Sequence, residues 1–578
     1  MGGQTAAERA TQTPTLAAMA LECARRYDGA ALKYKDGDDW TELSYGELGE
    51  VVNEVAAGLI ALGVEPGDRV AIHSDTRPEW TLADLGGICA AAVVVPIYQT
   101  ASAEEARHVL EDSGTTLVFC ENEELLATAR EASDGLGVEH FVLFEGEAEG
   151  ALTLAELRER GAEAAGEVEK RVEQVEPDDV FTLIYTSGTT GPPKGCVLTH
   201  ANYRANCDMV EQVADFGSEA VVFIFLPLAH ALTRVTQMVT LDVGGTIAYW
   251  ERDKDKAIDN LRQVEPTHFP SVPRIFEKIH EQALEKVGGG LKEKVFQKAI
   301  DVGRNVRGLE QSGEEPGPLL RAEHELADKQ LLSKVRELFG GRLEYALTGA
   351  APVSKDLLEF FWACGVLILE GYGATETSAV TAVNAPDDFE FGTVGRALPG
   401  AEIKIAEDTD DEGRGEILVK GPHVFRGYHG LEDKTAEVFD DGWFKTGDLG
   451  TLDDDGYLHV TGRAKEIIVT SSGKNITPTN IEEKLGDSPA VEQAIVYGDD
   501  RPYLVALIVP SDGADESKVQ EAVDAANGDL AKIEQVKTFK MLDRPLSQEE
   551  GELTPTMKVK REKVYEHFSD DLAGLYDD

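Results

Sequence analysis

The sequence predicts a layered α/β protein: a large N-terminal domain of α/β subdomains followed by a small C-terminal α+β domain. Three observations lead there. A chain of 578 residues is too long for one compact core. From about Thr41, helical patterns and short apolar runs alternate, the mark of parallel strands joined by helices. Near Gly462 that alternation gives way to short strands and tight turns.

The elements follow in order. "SYGELGEVVNEVAAGLIALG" has apolar residues at helical spacing and stops on Gly63. "DRVAIHS" reads as a short buried strand, "PEWTLADLGGICAAA" as a helix and "VVVPIY" as another strand. "SAEEARHVLEDSG" and "TLVFC" repeat the helix–strand unit. Residues 152–175 form a charged surface helix or a linker, whose default meaning is a solvated face. Ala283–Phe339, rich in Lys, Glu and Gly, reads as an inserted helical pair, mobile around "SGEEPGPLL". The expected domain limits are 1–462 and 463–578, the second of a natural size for a separate unit.

Composition excludes several classes of function. There are 107 carboxylates against 55 Lys plus Arg, a net charge of −52, which repels nucleic acid and anionic membranes. Acidic runs in loops, such as "DDEGRGE", favour a salt-rich cytoplasm over an ordinary acidic protein; stability unchanged between low and molar salt would sink that reading. Six cysteines stand far apart, so neither a disulfide framework nor a zinc site is expected. "MGGQTA" matches a myristoylation start only loosely, and the apolar run Leu85–Tyr98 is too short to span a bilayer. The expectation is a soluble, cytoplasmic protein with no integral membrane segment, touching a membrane at most transiently to collect substrate.

The most specific stretch is "YTSGTTGPPKG" (Tyr185–Gly195). Gly188, Gly191 and Gly195 let backbone N–H groups converge on an anion; Thr186, Ser187, Thr189 and Thr190 add hydroxyl donors, and Lys194 adds a positive charge. That composition is a phosphate cradle. It differs from the common nucleotide P-loop, because Lys194 is followed by Gly195 rather than Ser or Thr. Further along stand "TGAAPVS" (Thr348–Ser354), "GYGATETS" (Gly371–Ser378), "WFKTGDLG" (Trp443–Gly450), "TGRAKEII" (Thr461–Ile468) and "GELTPTMKVKRE" (Gly551–Glu562). Each alone is a turn or a surface patch; their order makes a pattern.

That ordered set resembles the adenylate-forming superfamily of acyl-CoA synthetases, luciferases and peptide-synthetase adenylation domains. The resemblance implies the adenylate-forming enzyme fold, with a mobile small domain and Lys465 at the hinge. It implies that the Tyr185–Gly195 loop, with Ser187, Gly188, Thr189, Thr190 and Gly191, holds the ATP phosphates. Gly349, Ala350, Ala351, Gly371 and Gly373 would line the adenine and acyl pockets, Tyr372 would stack on adenine, and Thr375 would meet phosphate. Asp448 would accept both ribose hydroxyls, Arg463 would make a second ribose or phosphate contact, and Glu376 with Thr186 would hold Mg²⁺. Lys558 would catalyse adenylation, with Lys194 and Thr186 at the leaving phosphates.

Two segments resemble the long-chain fatty acyl class: "IFLPLAHALTR" (Ile224–Arg234), with His230 near the carboxylate and gate, and "PTHFPSVPRIFEKIH" (Pro266–His280). A departure is Thr233, where an acidic residue is expected before the arginine. The implied function is ATP-dependent conversion of a long-chain fatty acid to acyl-AMP and pyrophosphate, then to acyl-CoA and AMP. ATP, Mg²⁺ and CoA are thus the implied cofactor and substrates. The alternatives are an acyl-AMP ligase loading a carrier protein and a CoA ligase for an aromatic or medium-chain acid. An ADP-forming NTPase and a non-catalytic binder stand further off. Chain-length preference and the choice between monomer and homodimer stay open at this stage.

Overall fold

Helices in this chain start where a hydroxyl side chain can take up orphan backbone N–H groups. Ser44 caps helix Tyr45–Ala61 and Glu47 reaches back to it; Ser102 and Glu105 do the same for helix Ala103–Ser113. Helix Pro78–Cys89 lacks a side-chain cap and begins on Pro78, whose fixed φ suits the first turn. Short β-branched runs between these helices form the strands.

The structure is a computed structural model that describes residues 5–186, 192–214, 216–287, 290–409, 413–471, 474–511, 513–548, 550–554 and 558–576. Among them, one sheet runs Gly427–Tyr428, Lys194–Thr199, Val180–Thr186, Val93–Ile97, Arg69–His73, Leu117–Cys120, His140–Leu143, Leu152–Thr153. Its pairings are parallel from Val180–Thr186 onward and antiparallel where Lys194–Thr199 and Gly427–Tyr428 join. A second sheet runs Arg396–Ala397, Ala382–Val383, Ile368–Tyr372, Tyr345–Thr348, His268–Ser271, Val221–Ile224, Thr246–Tyr249, Ala30–Asp36, Asp39–Ser44. Fully buried Trp80, Tyr45, Phe181 and Tyr203 belong to the main core.

A third, antiparallel sheet contains Gly415–Lys420, Trp443–Leu452 and Leu458–Arg463. Beyond Arg463 a smaller unit has its own core: strands Val491–Tyr497, Leu504–Pro510 and Val536–Met541 pack with helices Pro478–Gly486 and Glu516–Asp529. The fold is therefore mixed α/β with a large N-terminal domain and a smaller C-terminal one.

Two expectations need adjustment. Residues 152–175 are not simply a solvated linker. Helices Leu154–Arg160 and Ala165–Gln174 bury Leu154, Leu157, Val168 and Val172, because those residues stand three to four apart on one face. Gly58 permits the approach: a Cβ there would lie 2.3 Å from the Leu157 carbonyl oxygen. The sequence reading also began its layers near Thr41, whereas strand Ala30–Asp36 already pairs in parallel with Thr246–Tyr249 of the second sheet. Within residues 283–339 the long helix Leu291–Gln311 is followed by Pro318–Ala327, which runs on through the helical turns Asp328–Leu332 and Ser333–Arg336.

Candidate active site

The strand ends of both large sheets and the small domain enclose a cleft of about 2270 Å³. Thr186, Lys194 and His230 line it, as do Gly349, Ala350 and Ala351. So do Gly371 and Tyr372 from the second sheet, Gly373, Thr375 and Glu376 from the turn that follows, and Asp448, Arg463, Lys465 and Lys558 from farther along the chain. Ser187, Gly188, Thr189, Thr190 and Gly191 lie outside the described residues.

The phosphate-loop hairpin is held by antiparallel pairing of Thr186 with Lys194 and Tyr185 with Gly195. Tyr185 donates to Asp112 at 2.6 Å, and His108 Nε2 bonds the Pro193 carbonyl at 2.7 Å. Lys194 Nζ sits 4.0 Å from the centre of the Tyr428 ring, and the Tyr428 hydroxyl donates to Glu376 Oε1 at 2.9 Å. Sequence reading missed Tyr428. The one signal was its place in "FRGYHG", and a tyrosine in a turn carries no chemistry by itself.

On the opposite side, Tyr372 donates to Asp448 Oδ2 at 2.7 Å, and Arg463 Nε stands 3.0 Å from Oδ1. Both carboxylate oxygens of Asp448 therefore have partners, and the buried group is fixed in orientation. Burial, then the Asp448 charge, raises the Tyr372 phenol well above its ordinary pKa, so it is a donor at neutral pH. Gly373 allows the chain to fold against itself: a Cβ there would lie 1.8 Å from the Ala379 carbonyl. Ala350 adopts a left-handed φ of +68°, which turns the backbone sharply after strand Tyr345–Thr348.

His230 caps helix Ala231–Val243, its Nδ1 accepting from Leu232 N–H at 3.3 Å. Burial first and the Lys558 ammonium second push its pKa down to about 4. The ring is thus neutral with the proton on Nε2. Arg234, four residues on, does not reach the cleft. It is completely buried and bonds Asp84 through Nε at 3.0 Å and a second contact from Nη2, and Thr182 through Nη1 at 2.7 Å. Asp84, from helix Pro78–Cys89, is thus the counter-charge of Arg234.

Lys558 comes from a hairpin in the small domain. Thr554 N–H donates to the Lys558 carbonyl at 2.8 Å, Lys558 N–H donates to Thr554 Oγ1 at 2.9 Å, and Lys560 N–H donates to the Glu552 carbonyl at 2.7 Å. Glu552 anchors the base of this hairpin. Arg544, with His567 assisting, holds its carboxyl down at about 2, and the Arg544 contacts measure 2.6 and 2.7 Å. Neither Arg544 nor His567 was legible as part of the site. Burial, then Arg463, lowers the Lys558 pKa, while Asp448, Glu466 and Glu376 pull it the other way.

Hard oxygen donors, the Glu376 carboxylate and the Thr186 hydroxyl, share the cleft with Lys194, a set that fits a small divalent cation carried by a polyphosphate. Among the described residues there is no cluster of three or more His, Cys, Asp or Glu of metal-binding geometry, so such a cation would rely on phosphate oxygens and water for its other ligands.

The AMP-binding enzyme family model matches residues 19–429, and its C-terminal domain matches residues 465–578. The chain belongs to the AMP-binding enzyme family. Long-chain-fatty-acid--CoA ligase FadD15 of Mycobacterium bovis is 37% identical over 93% of this chain and 92% of its own length. Long-chain-fatty-acid--CoA ligase ACSBG2 of Xenopus laevis is 31% identical over 95% of this chain and 82% of its own. Among solved structures, ATP-bound MatB from Rhodopseudomonas palustris superposes with a TM-score of 0.75 at 26% identity, covering 97% of this chain and 99% of that one. The anthranilate CoA ligase AuaEII bound to anthranoyl-AMP has a TM-score of 0.77 over 96% of this chain and 98% of that one; at 21% identity this shows the fold alone. No helix of the described residues is long and apolar enough to cross a membrane.

Proposed function

We propose that this protein is an AMP-forming long-chain fatty acid–CoA ligase, built as a large domain of residues 1–462 and a mobile domain of residues 463–578. The observation that carries the reading is Lys558, which enters from the small domain within electrostatic reach of Asp448, Arg463, Glu376 and His230. Full-length similarity to long-chain ligases supports the choice of acid.

A carboxylate is a poor acyl donor because its leaving group would be oxide. The fatty carboxylate oxygen attacks the α-phosphorus of ATP, the α–β bridging bond breaks, and pyrophosphate leaves. Acyl-AMP then exchanges AMP for the CoA thiolate. In this scheme Tyr372 and Asp448 hold adenine and ribose, and Arg463 neutralises the Asp448 side of the nucleotide. Lys194, Thr186, Thr375 and the residues 187–191 hold the β,γ-phosphates. His230, neutral and protonated on Nε2, offers a hydrogen bond to the incoming carboxylate. Lys558 bridges carboxylate and α-phosphate, aligning them for in-line attack as charge builds. Glu376, with Thr186, would hold the Mg²⁺ that accompanies ATP, and that ion would neutralise charge at the leaving pyrophosphate. Rotation about Lys465 withdraws Lys558 and admits the thiol.

Pyrophosphate release across a panel of carboxylic acids, with and without CoA, tests the reading. Long saturated or unsaturated acids should give AMP and pyrophosphate, with acyl-CoA formed only when CoA is present. Turnover restricted to aromatic acids, product that moves only to a carrier protein, or release of ADP would each overturn it.

A further inference from the structure

The phosphate end of the cleft contains a group that the scheme above does not use. Tyr428 lies on the short strand Gly427–Tyr428, which pairs with Lys194–Thr199 so that Tyr428 stands opposite Cys196. Its neighbour His429 donates its N–H to the Gly195 carbonyl at 2.8 Å, and Phe425 donates its N–H to the Glu376 carbonyl at 2.8 Å. Main-chain bonds thus tie this segment both to the end of the phosphate loop and to the turn that carries Glu376. The tyrosine ring is 7% exposed, and Phe425 packs edge-on against it at 5.0 Å between centroids. A side chain held so firmly fixes whatever it touches.

It touches two groups of opposite charge. Its face receives the Lys194 ammonium at 4.0 Å, and its hydroxyl donates to Glu376 Oε1 at 2.9 Å. A carboxylate oxygen only accepts, so in this bond the phenol hydroxyl is the donor. A direct Lys194–Glu376 ion pair would leave both groups satisfied and closed to phosphate and metal. A tyrosine between them holds the cation by its ring and the carboxylate by one oxygen, and so leaves each with bonding capacity facing ATP.

We propose that Tyr428 is a positioning residue for the pyrophosphate end of ATP: its ring seats Lys194 for the β,γ-phosphates, and its hydroxyl orients Glu376 so that the second carboxylate oxygen meets the Mg²⁺. The inference rests on the assignment of Glu376 to the metal made above.

The test uses the full-length protein with two probes, Mg²⁺ and α,β-methylene-ATP, whose non-cleavable α–β link keeps turnover out of the measurement. Calorimetry gives the nucleotide Kd in EDTA and its tightening as Mg²⁺ is titrated. Tyr428→Phe keeps the ring and the strand. It should bind nucleotide in EDTA as the wild type does but need about tenfold more Mg²⁺ for half the tightening, the loss expected for one hydrogen bond to a charged group. Tyr428→Leu should show the same metal shift and also bind about threefold more weakly in EDTA, because Lys194 loses its seat. Glu376→Gln should shift the metal titration by itself, and adding Tyr428→Phe to it should bring no further shift. If Glu376→Gln shifts the titration while Tyr428→Phe superimposes on wild type, the role of Tyr428 is overturned and the metal assignment stands. If Glu376→Gln leaves the titration unmoved, the metal assignment fails and the role of Tyr428 falls with it.

Discussion

Two arginine–aspartate pairs use the same functional groups for opposite purposes. Arg234 and Asp84 are both 0% exposed, and Thr182, Gln237 and the face of Phe181 complete their shell. Arg463 and Asp448 are 49% and 8% exposed, and they sit on the cleft wall with Tyr372 as the third member. The first pair is closed off: each guanidinium nitrogen has a partner and neither side chain is exposed, so it has no face open to a ligand. The second is one-sided: a nucleotide can approach Asp448 from the cleft and displace or share the arginine. Burial with full satisfaction makes a structural pair, and partial exposure makes a usable one.

The comparison breaks most easily at the buried pair. Asp84→Ala or Arg234→Ala should destabilise the protein by about 3–5 kcal/mol in denaturant unfolding, since the surviving charge stays buried without a partner. The double replacement Asp84→Leu with Arg234→Met should recover much of that loss, and a loss below about 1 kcal/mol for either single variant would refute the structural role.

Lys558→Ala should lower adenylate formation by about 10²–10³-fold, with stability unchanged, because it removes one charge aimed at the transition state. Thioester formation from supplied acyl-AMP should be largely spared; equal failure of both half-reactions would disprove the division of labour. Arg463→Ala should raise the KM for ATP by about tenfold while the unfolding free energy falls by less than about 1 kcal/mol, as the half-exposed arginine allows. A large stability loss there would erase the contrast with Arg234.

The smallest effect is on pH dependence. Glu370, at the end of the second sheet, is pushed up to about 8 by burial and by Glu483 of the small domain. Glu483 is itself pushed up to about 7 by burial and by Asp487 and Glu482. Both are acids whose pKa is raised on folding, so the folded, docked arrangement binds more protons than the unfolded chain. Its stability is then highest at low pH and declines as pH rises from the ordinary carboxylate range through about 8. Glu483→Gln should flatten that decline in unfolding midpoints measured between about pH 5.5 and 8.5. Parallel curves for wild type and variant would show that these carboxylates do not face each other in solution.

The chemistry-bearing residues were legible early because their requirements are local. A loop that must wrap phosphate needs glycine and hydroxyls in sequence, and "YTSGTTGPPKG" states this within eleven residues. The helices were legible for the same reason: the apolar residues of "SYGELGEVVNEVAAGLIALG" recur at helical spacing up to Gly63. Partners that must come from elsewhere were not. Asp84 stands in "PEWTLADLGGIC", a stretch read only as a helix, yet it is the buried counter-charge of Arg234, 150 positions away. Likewise, "LTLAELRER" looked like a solvated face until helix Tyr45–Ala61 offered a surface for Leu154 and Leu157.

The sequence by itself determined that this chain has amphipathic helices alternating with buried strands, a phosphate loop, and an ordered set of nucleotide motifs ending in a C-terminal lysine. Tertiary structure alone decided that strand Ala30–Asp36 pairs in parallel with Thr246–Tyr249, over 200 residues away, that Asp84 is the partner of Arg234, and that Tyr428 stands between Lys194 and Glu376. The physical reason is the range of the forces. Capping, turn formation and amphipathic period act over a few residues and are written in composition. Ion pairing and ring contacts act over a few ångströms, and only the folded chain brings distant residues that close.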